Sequence, residues 1–167
     1  MNLSVLQLLR PDFLSQLEAL LAQHPSAATQ ICLELTESQW LDSDGPAKIV
    51  LDRLRAHGFG LALDDFGTGY ASLRYLQSLP LTSIKIDRSF VNAVDTGGQA
   101  AALCRALLSM AEACGLGTVA EGVETASQQA TLREMGYRLG QGYLWSKPLA
   151  AKDALAWLAT REAGSRA

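Results

Sequence analysis

The sequence predicts one α/β domain built on a parallel sheet. Short apolar runs alternate with helical patterns at a repeat of roughly 20–35 residues, and no linker, low-complexity segment or internal repeat breaks the series. A length of 167 residues suits a single domain. Apolar residues at 49% and charged residues at 19% exclude a disordered chain.

The elements follow in order. Leu3, Leu6, Leu9, Phe13, Leu17, Leu20 and Leu21 recur at helical spacing, with Pro11 placed for a first turn. Ile31–Leu35 has strand length. Pro46–His57 reads as a helix closed by Gly58. Leu61–Leu63 is a strand ending in Asp64-Asp65, followed by a short helix over Ala71–Leu79. Ile84–Ile86 ends in Asp87, and a long helix covers Gln99–Cys114, stopped by Gly115. Thr118–Ala120 ends in Glu121, and Ser127–Met135 is helical. A short run near Tyr143–Leu144 precedes Pro148, and a last helix over Lys152–Arg161 gives way to a polar tail at 162–167.

The informative pattern is where each strand stops. Glu34, Asp64 with Asp65, Lys85 with Asp87, and Glu121 all fall at the C-terminal end of an apolar run. Ligands of parallel α/β sheets and barrels bind at that edge. One acid there can be a helix cap; four consecutive strands ending in acid or Lys point to a site. Crowded carboxylates raise one another's pKa unless a cation compensates. Hard divalent cations seek such converging oxygens, which points to Mg²⁺ or Mn²⁺, and a Lys among them suits an anionic substrate or a polarised water. The two histidines, His24 and His57, both lie at helix ends, against a His-rich zinc or iron site.

Other classes are excluded by what the chain lacks. Fourteen Lys plus Arg against seventeen Asp plus Glu leave a net charge of −3, without the basic footprint of a DNA- or RNA-duplex binder. Cys32, Cys104 and Cys114 are odd in number and lack CxxC spacing, which favours a reducing compartment over disulfides or zinc. The most apolar stretch, Ala100–Gly117, is broken by Arg105 and Glu112, so no membrane insertion is expected. With no secretory signal visible, the expected location is cytoplasmic. The loop Asp65-Phe66-Gly67-Thr68-Gly69-Tyr70 has Ser72 where a dinucleotide-binding fingerprint needs glycine. No nucleophile elbow, Walker A loop or HExxH occurs.

At these residues the chain resembles the EAL-domain family of bacterial cyclic di-GMP phosphodiesterases. The matching segments are Asn2-Leu3-Ser4, Glu34–Ser38, Asp64–Tyr70, Lys85–Val91, Glu121–Thr125, and Gln141–Leu144 leading to Ser146-Lys147-Pro148. They stand in the family's order over nearly the whole chain; Trp145 occupies a position where Phe is common. The resemblance implies a TIM-like (β/α) barrel with its site at the C-terminal strand ends. It implies that Asn2, Glu34, Asp64 and Glu121 are metal ligands, and that Asp65 serves a second ion. It makes Lys85 the residue that positions the attacking water and Glu37 the residue that holds the loop after Asp65. Glu124 becomes a further catalytic position and Gln141 a substrate-binding one. The activity implied is hydrolysis of cyclic di-GMP to linear pGpG with two Mg²⁺ or Mn²⁺ ions.

The chain also departs from the family. The name-giving Glu-Ala-Leu segment lies upstream of the position matched by Asn2, and with it go a ligand Glu and a phosphate-holding Arg. A complete (β/α)₈ barrel takes about 250 residues and eight strands; about five strands are expected here, a partial domain over 1–161. The expectation is an internal fragment or shortened reading frame with weak turnover, or a catalytically impaired module that binds cyclic di-GMP or another protein. Helices over Pro11–Gln23 and Lys152–Arg161 should flank the gap, and the edge of Ile31–Leu35 should lack a partner. A homodimer or larger oligomer covering that open side is expected, with the helix Gln99–Cys114 as a second packing face.

Overall fold

The computed structural model describes residues 1–36, 45–68 and 73–164, with 73–75 and 161–164 described by their backbone alone. Among the described residues, five parallel strands form one sheet in sequential order: β1 (Cys32–Thr36), β2 (Gly60–Phe66), β3 (Ser83–Ile86), β4 (Gly117–Ala120) and β5 (Leu139–Gly140). Each strand pairs with the next, and helices form the connections, which is the arrangement of consecutive β/α units in a barrel wall. Short helices α1 (Val5–Leu8), α3 (Ala27–Gln30) and α6 (Arg88–Val91) accompany longer ones: α2 (Phe13–Gln23), α4 (Pro46–Ala56), α5 (Leu73–Ser78), α7 (Gly98–Ala113), α8 (Ala126–Met135) and α9 (Ala151–Gly164).

The two faces of the sheet differ sharply. Strand side chains alternate, so Leu33, Leu35, Leu61, Leu63, Ile84, Ile86 and Ala120 share the face packed under the helices, and all are buried. Glu34, Asp64 and Lys85 fall on the opposite face, and Glu121 follows β4 in the same phase. One face is thus a closed core, while the other carries the polar groups.

Helix ends set how each strand starts. In α4, Ala47, Leu51 and Leu54 bury one stripe, Pro46 occupies the first turn, and Gly58 (φ 101°) turns the chain back. Gly58 N–H donates to the Arg55 carbonyl and Phe59 N–H to that of Leu54, closing a Schellman motif directly before β2. Gly115 (φ 70°) does the same between α7 and β4, with Leu116 N–H on the Ala111 carbonyl. These two glycines supply the left-handed turn that other residues adopt at a cost.

The structure corrects four expectations. The fifth strand is Leu139–Gly140, not the run near Tyr143–Leu144. It is too short to carry an apolar pattern, and pairing of Leu139 with Val119 and Gly140 with Ala120 defines it. The N-terminal leucines do not form one helical series. Leu3 is buried, the Ser4–Gln7 capping box starts α1 only at Val5, and α2 begins at Phe13, beyond Pro11. The edge of β1 is partly paired, because Leu3 N–H donates to the Glu34 carbonyl (2.8 Å) and Glu34 N–H to that of Met1 (2.9 Å). The last helix also runs to Gly164, past the expected end at Arg161.

Gln128 ties the outer layer together. It is buried on α8; its side-chain oxygen accepts from the N–H of Glu124 (2.8 Å) and Thr125 (3.1 Å). Its amide nitrogen donates to the Asn92 carbonyl at 3.1 Å. Gln128→Ala leaves these groups unsatisfied, and a loss of about 2 kcal/mol is expected in urea unfolding followed by circular dichroism.

Candidate functional site

Lys85 lies at the centre of the polar face and is only 5% exposed. Its Nζ is 2.7 Å from Asp64 Oδ1, 2.7 Å from Glu121 Oε1 and 3.3 Å from Glu34 Oε1. These groups come from β3, β2, the end of β4 and β1, so one ammonium links four neighbouring chain segments. Burial opposes the lysine's charge, but hydrogen bonds and attraction from Asp64 and Glu121 outweigh it and hold its pKa above the ordinary value. Burial pushes the Glu121 carboxyl up; Lys85 counters that shift, and the nearby Asp64 and Asp65 reinforce it.

The pair Asp64-Asp65 depends on a break in the sheet. Consecutive strand residues point to opposite faces, so a regular β2 would separate these acids. Leu63 pairs with Ile84 and Phe66 with Ile86, so β2 accommodates one extra residue at Asp64-Asp65. Asp65 takes a φ of 53°, the one positive value at a non-glycine among the described residues. Carboxylate oxygens of Asp64, Asp65 and Glu121 consequently lie within 4.8 Å of one another.

Gln141 donates from Nε2 to Glu121 Oε1 at 2.6 Å. The segment that carries Gln141 presses on the one after β4: Val123 N–H donates to the Gln141 carbonyl, and Leu144 N–H to that of Val123. A Cβ on Gly142 would stand 2.1 Å from the Val123 carbonyl oxygen, so only glycine permits this approach.

The sequence-predicted residues divide into three groups. Glu34, Asp64, Asp65, Lys85, Glu121 and Gln141 converge; Asn2 is bridged to Glu34 through the backbone. Glu124 is exposed and lines an adjacent groove with Arg88, Gln141, Tyr143 and Lys147. Glu37 lies outside the described residues. Sequence reasoning did not single out Arg88, Tyr143 or Lys147, although each sits inside a segment already marked as matching.

The donor set fits a divalent cation. Three carboxylates surround one buried ammonium with Asp65 beside them, and two like charges 4.8 Å apart repel by about 3 kcal/mol at an effective dielectric of about 20. A hard dication with oxygen ligands relieves that repulsion.

The EAL-domain family model matches residues 1–148. The bifunctional diguanylate cyclase/cyclic di-GMP phosphodiesterase MucR of Pseudomonas aeruginosa is 37% identical over 158 residues, covering 95% of this chain and 23% of MucR. The chain spans only 18% to 23% of the length of the first curated relatives it matches. A structure of the MucR phosphodiesterase with cyclic di-GMP superposes with a TM-score of 0.81 at 37% identity, covering 92% of this chain and 62% of that one. The EAL domain of Mycobacterium smegmatis DcpA gives 0.87 at 37% identity, covering 95% and 71%. Klebsiella pneumoniae BlrP1, solved with manganese and cyclic di-GMP, gives 0.77 at 33% identity, covering 88% and 38%.

The Lys85 cluster makes a pH-dependent contribution to stability. Because the folded pKa is raised, that contribution is full below the unfolded value near 10.5 and is lost as pH rises through the folded value. Lys85→Met leaves the half-buried carboxylates without their cation, and a loss of about 3 kcal/mol is expected at neutral pH. The variant should also show a shallower alkaline fall in stability than wild type, measured by urea unfolding from neutral pH to beyond the ordinary lysine range.

Proposed function

The chain belongs to the EAL-domain family, and on that premise we propose that it binds cyclic di-GMP and hydrolyses one phosphodiester to linear pGpG. The observation that carries the reading is the buried ammonium of Lys85 among Glu34, Asp64 and Glu121, beside the bulged Asp65. In the reaction a water oxygen attacks phosphorus, the bond to the ribose 3′ oxygen breaks, and that oxygen leaves with a proton.

Glu34, Asp64, Asp65 and Glu121, with Asn2 beside Glu34, would hold Mg²⁺ or Mn²⁺, two ions in our reading. Bound there, the ions supply positive charge to the phosphate and make the water more acidic. Lys85 adds a fixed positive charge between Asp64 and Glu121, where negative charge develops on the attacking oxygen. Gln141 fixes the rotamer of Glu121 through its 2.6 Å hydrogen bond.

The groove next to the acids encloses about 380 Å³, within the range of small-ligand sites. Arg88 and Lys147 offer charge to phosphate, and the exposed Tyr143 ring offers a face for a guanine base. Glu124 on its rim suits a role toward substrate.

Incubation with Mn²⁺ and cyclic di-GMP, followed by ion-exchange chromatography, is expected to reveal linear pGpG. Asp64→Asn should lower that turnover at least about 100-fold. Undiminished turnover in the variant would sink the assignment. Binding of cyclic di-GMP without turnover would favour an impaired, nucleotide-sensing module.

We also propose that the chain self-associates. Leu6, Leu20, Leu155 and Leu158 are 50% to 83% exposed on α1, α2 and α9. Size-exclusion chromatography with light scattering should report a dimer or larger species, and a dispersed monomer at high micromolar concentration would refute it.

A further inference from the structure

We infer that Phe90 is a positioning residue of the acid cluster: its ring supports the Asp65–Thr68 loop and so fixes where Asp65 presents its carboxylate. The inference rests on reading the acids as a metal site. Asp65 sits in a left-handed backbone conformation that non-glycine residues rarely adopt, and its surroundings must hold it there. Part of the restraint is local. Thr68 donates to the Asp65 carbonyl from its N–H at 3.3 Å and from its hydroxyl at 2.9 Å. A further contact comes from the neighbouring β/α unit. A Cβ on Gly67 would stand 2.7 Å from Phe90 Cε2 and 2.9 Å from Cζ, so the Gly67 backbone rests directly on the ring edge.

The ring is well anchored for this purpose. Phe90 lies in α6, five residues after Lys85, so one short segment carries both the central ammonium and the support for the loop opposite it. Asp87 caps α6 by accepting from Ser89 N–H at 3.0 Å, and Phe90 N–H donates to the Asp87 carbonyl at 3.1 Å. The Cys104 thiol, buried on α7, donates to the Phe90 carbonyl at 3.4 Å. Phe90 packs against the core and is half-buried. Burial alone would be served by leucine; contact with Gly67 needs the reach of a planar ring. Phe90 therefore sets the separation between the Asp65 loop and Lys85.

The test is isothermal titration of Mn²⁺ into the full chain, paired with urea unfolding. Phe90→Leu keeps most of the apolar volume and should weaken Mn²⁺ binding about tenfold. Gly67→Ala meets the ring from the loop side and also strains a φ of 100°, so it should weaken binding more than Phe90→Leu does. Val91→Ala, a fully buried neighbour of Phe90, is the packing control: it should lower the urea midpoint and leave Mn²⁺ affinity within twofold of wild type. Wild-type affinity in a folded Phe90→Leu or Gly67→Ala would overturn the inference while leaving the metal site standing. Absence of Mn²⁺ binding by the wild-type chain would overturn the metal-site reading, and the inference with it.

Discussion

A lysine ammonium withdrawn from water costs several kcal/mol unless partners repay the lost hydration, and a single carboxylate seldom suffices. Lys85 has three carboxylates within 3.3 Å, each from a different strand or strand end. That requirement disciplines the rest of the sheet. β1, β2, β3 and β4 must be adjacent, parallel and in one register for Glu34, Asp64, Lys85 and Glu121 to meet. The helices secure this register from the other face, where the buried leucines and isoleucines leave each strand one way to sit. The apolar face therefore places the strands, and the polar face uses that placement.

The same arrangement explains why the cluster is chemically unfinished. Lys85 compensates part of the negative charge, while Asp65 adds to it through a bulge that brings a second consecutive acid to the same face. A fold selected for stability alone would keep β2 regular and turn Asp65 away from the face that carries the other acids. Backbone strain at a residue that increases charge repulsion is the signature of a group held for its chemistry.

Much of the fold was legible because the strands are apolar runs with clear stops. Four of them were read near their observed positions, and Gly58 and Gly115 marked helix ends correctly. β5 was not legible: Leu139 and Gly140 are exposed, carry no alternation, and are defined by hydrogen bonds to β4. The first leucines misled because period alone cannot show that Ser4 caps a new helix or that Leu3 pairs with β1. At the site, the acids at strand ends were visible from residue type and place. Their convergence was not, since it depends on a one-residue bulge and on a positive φ that no pattern of apolar residues encodes. Arg88, Tyr143 and Lys147 were passed over for a related reason: they line a groove only once the segments after β3, β4 and β5 are brought together.

The segments after β4 and β5 show how backbone contacts can carry specificity for a site. Gly142 has no side chain, and this lets the segment after β5 press against Val123 until their backbones hydrogen-bond. The contact delivers Gln141 to Glu121, and it also forms one wall of the groove that holds Glu124. Glu121 is thereby fixed from two sides, by Lys85 from within the sheet and by Gln141 from the loop. A carboxylate that accepts two charge-directed hydrogen bonds through one oxygen keeps its other oxygen turned outward. Glu121, whose charge burial disfavours, is therefore held in one orientation by a cation and an amide together.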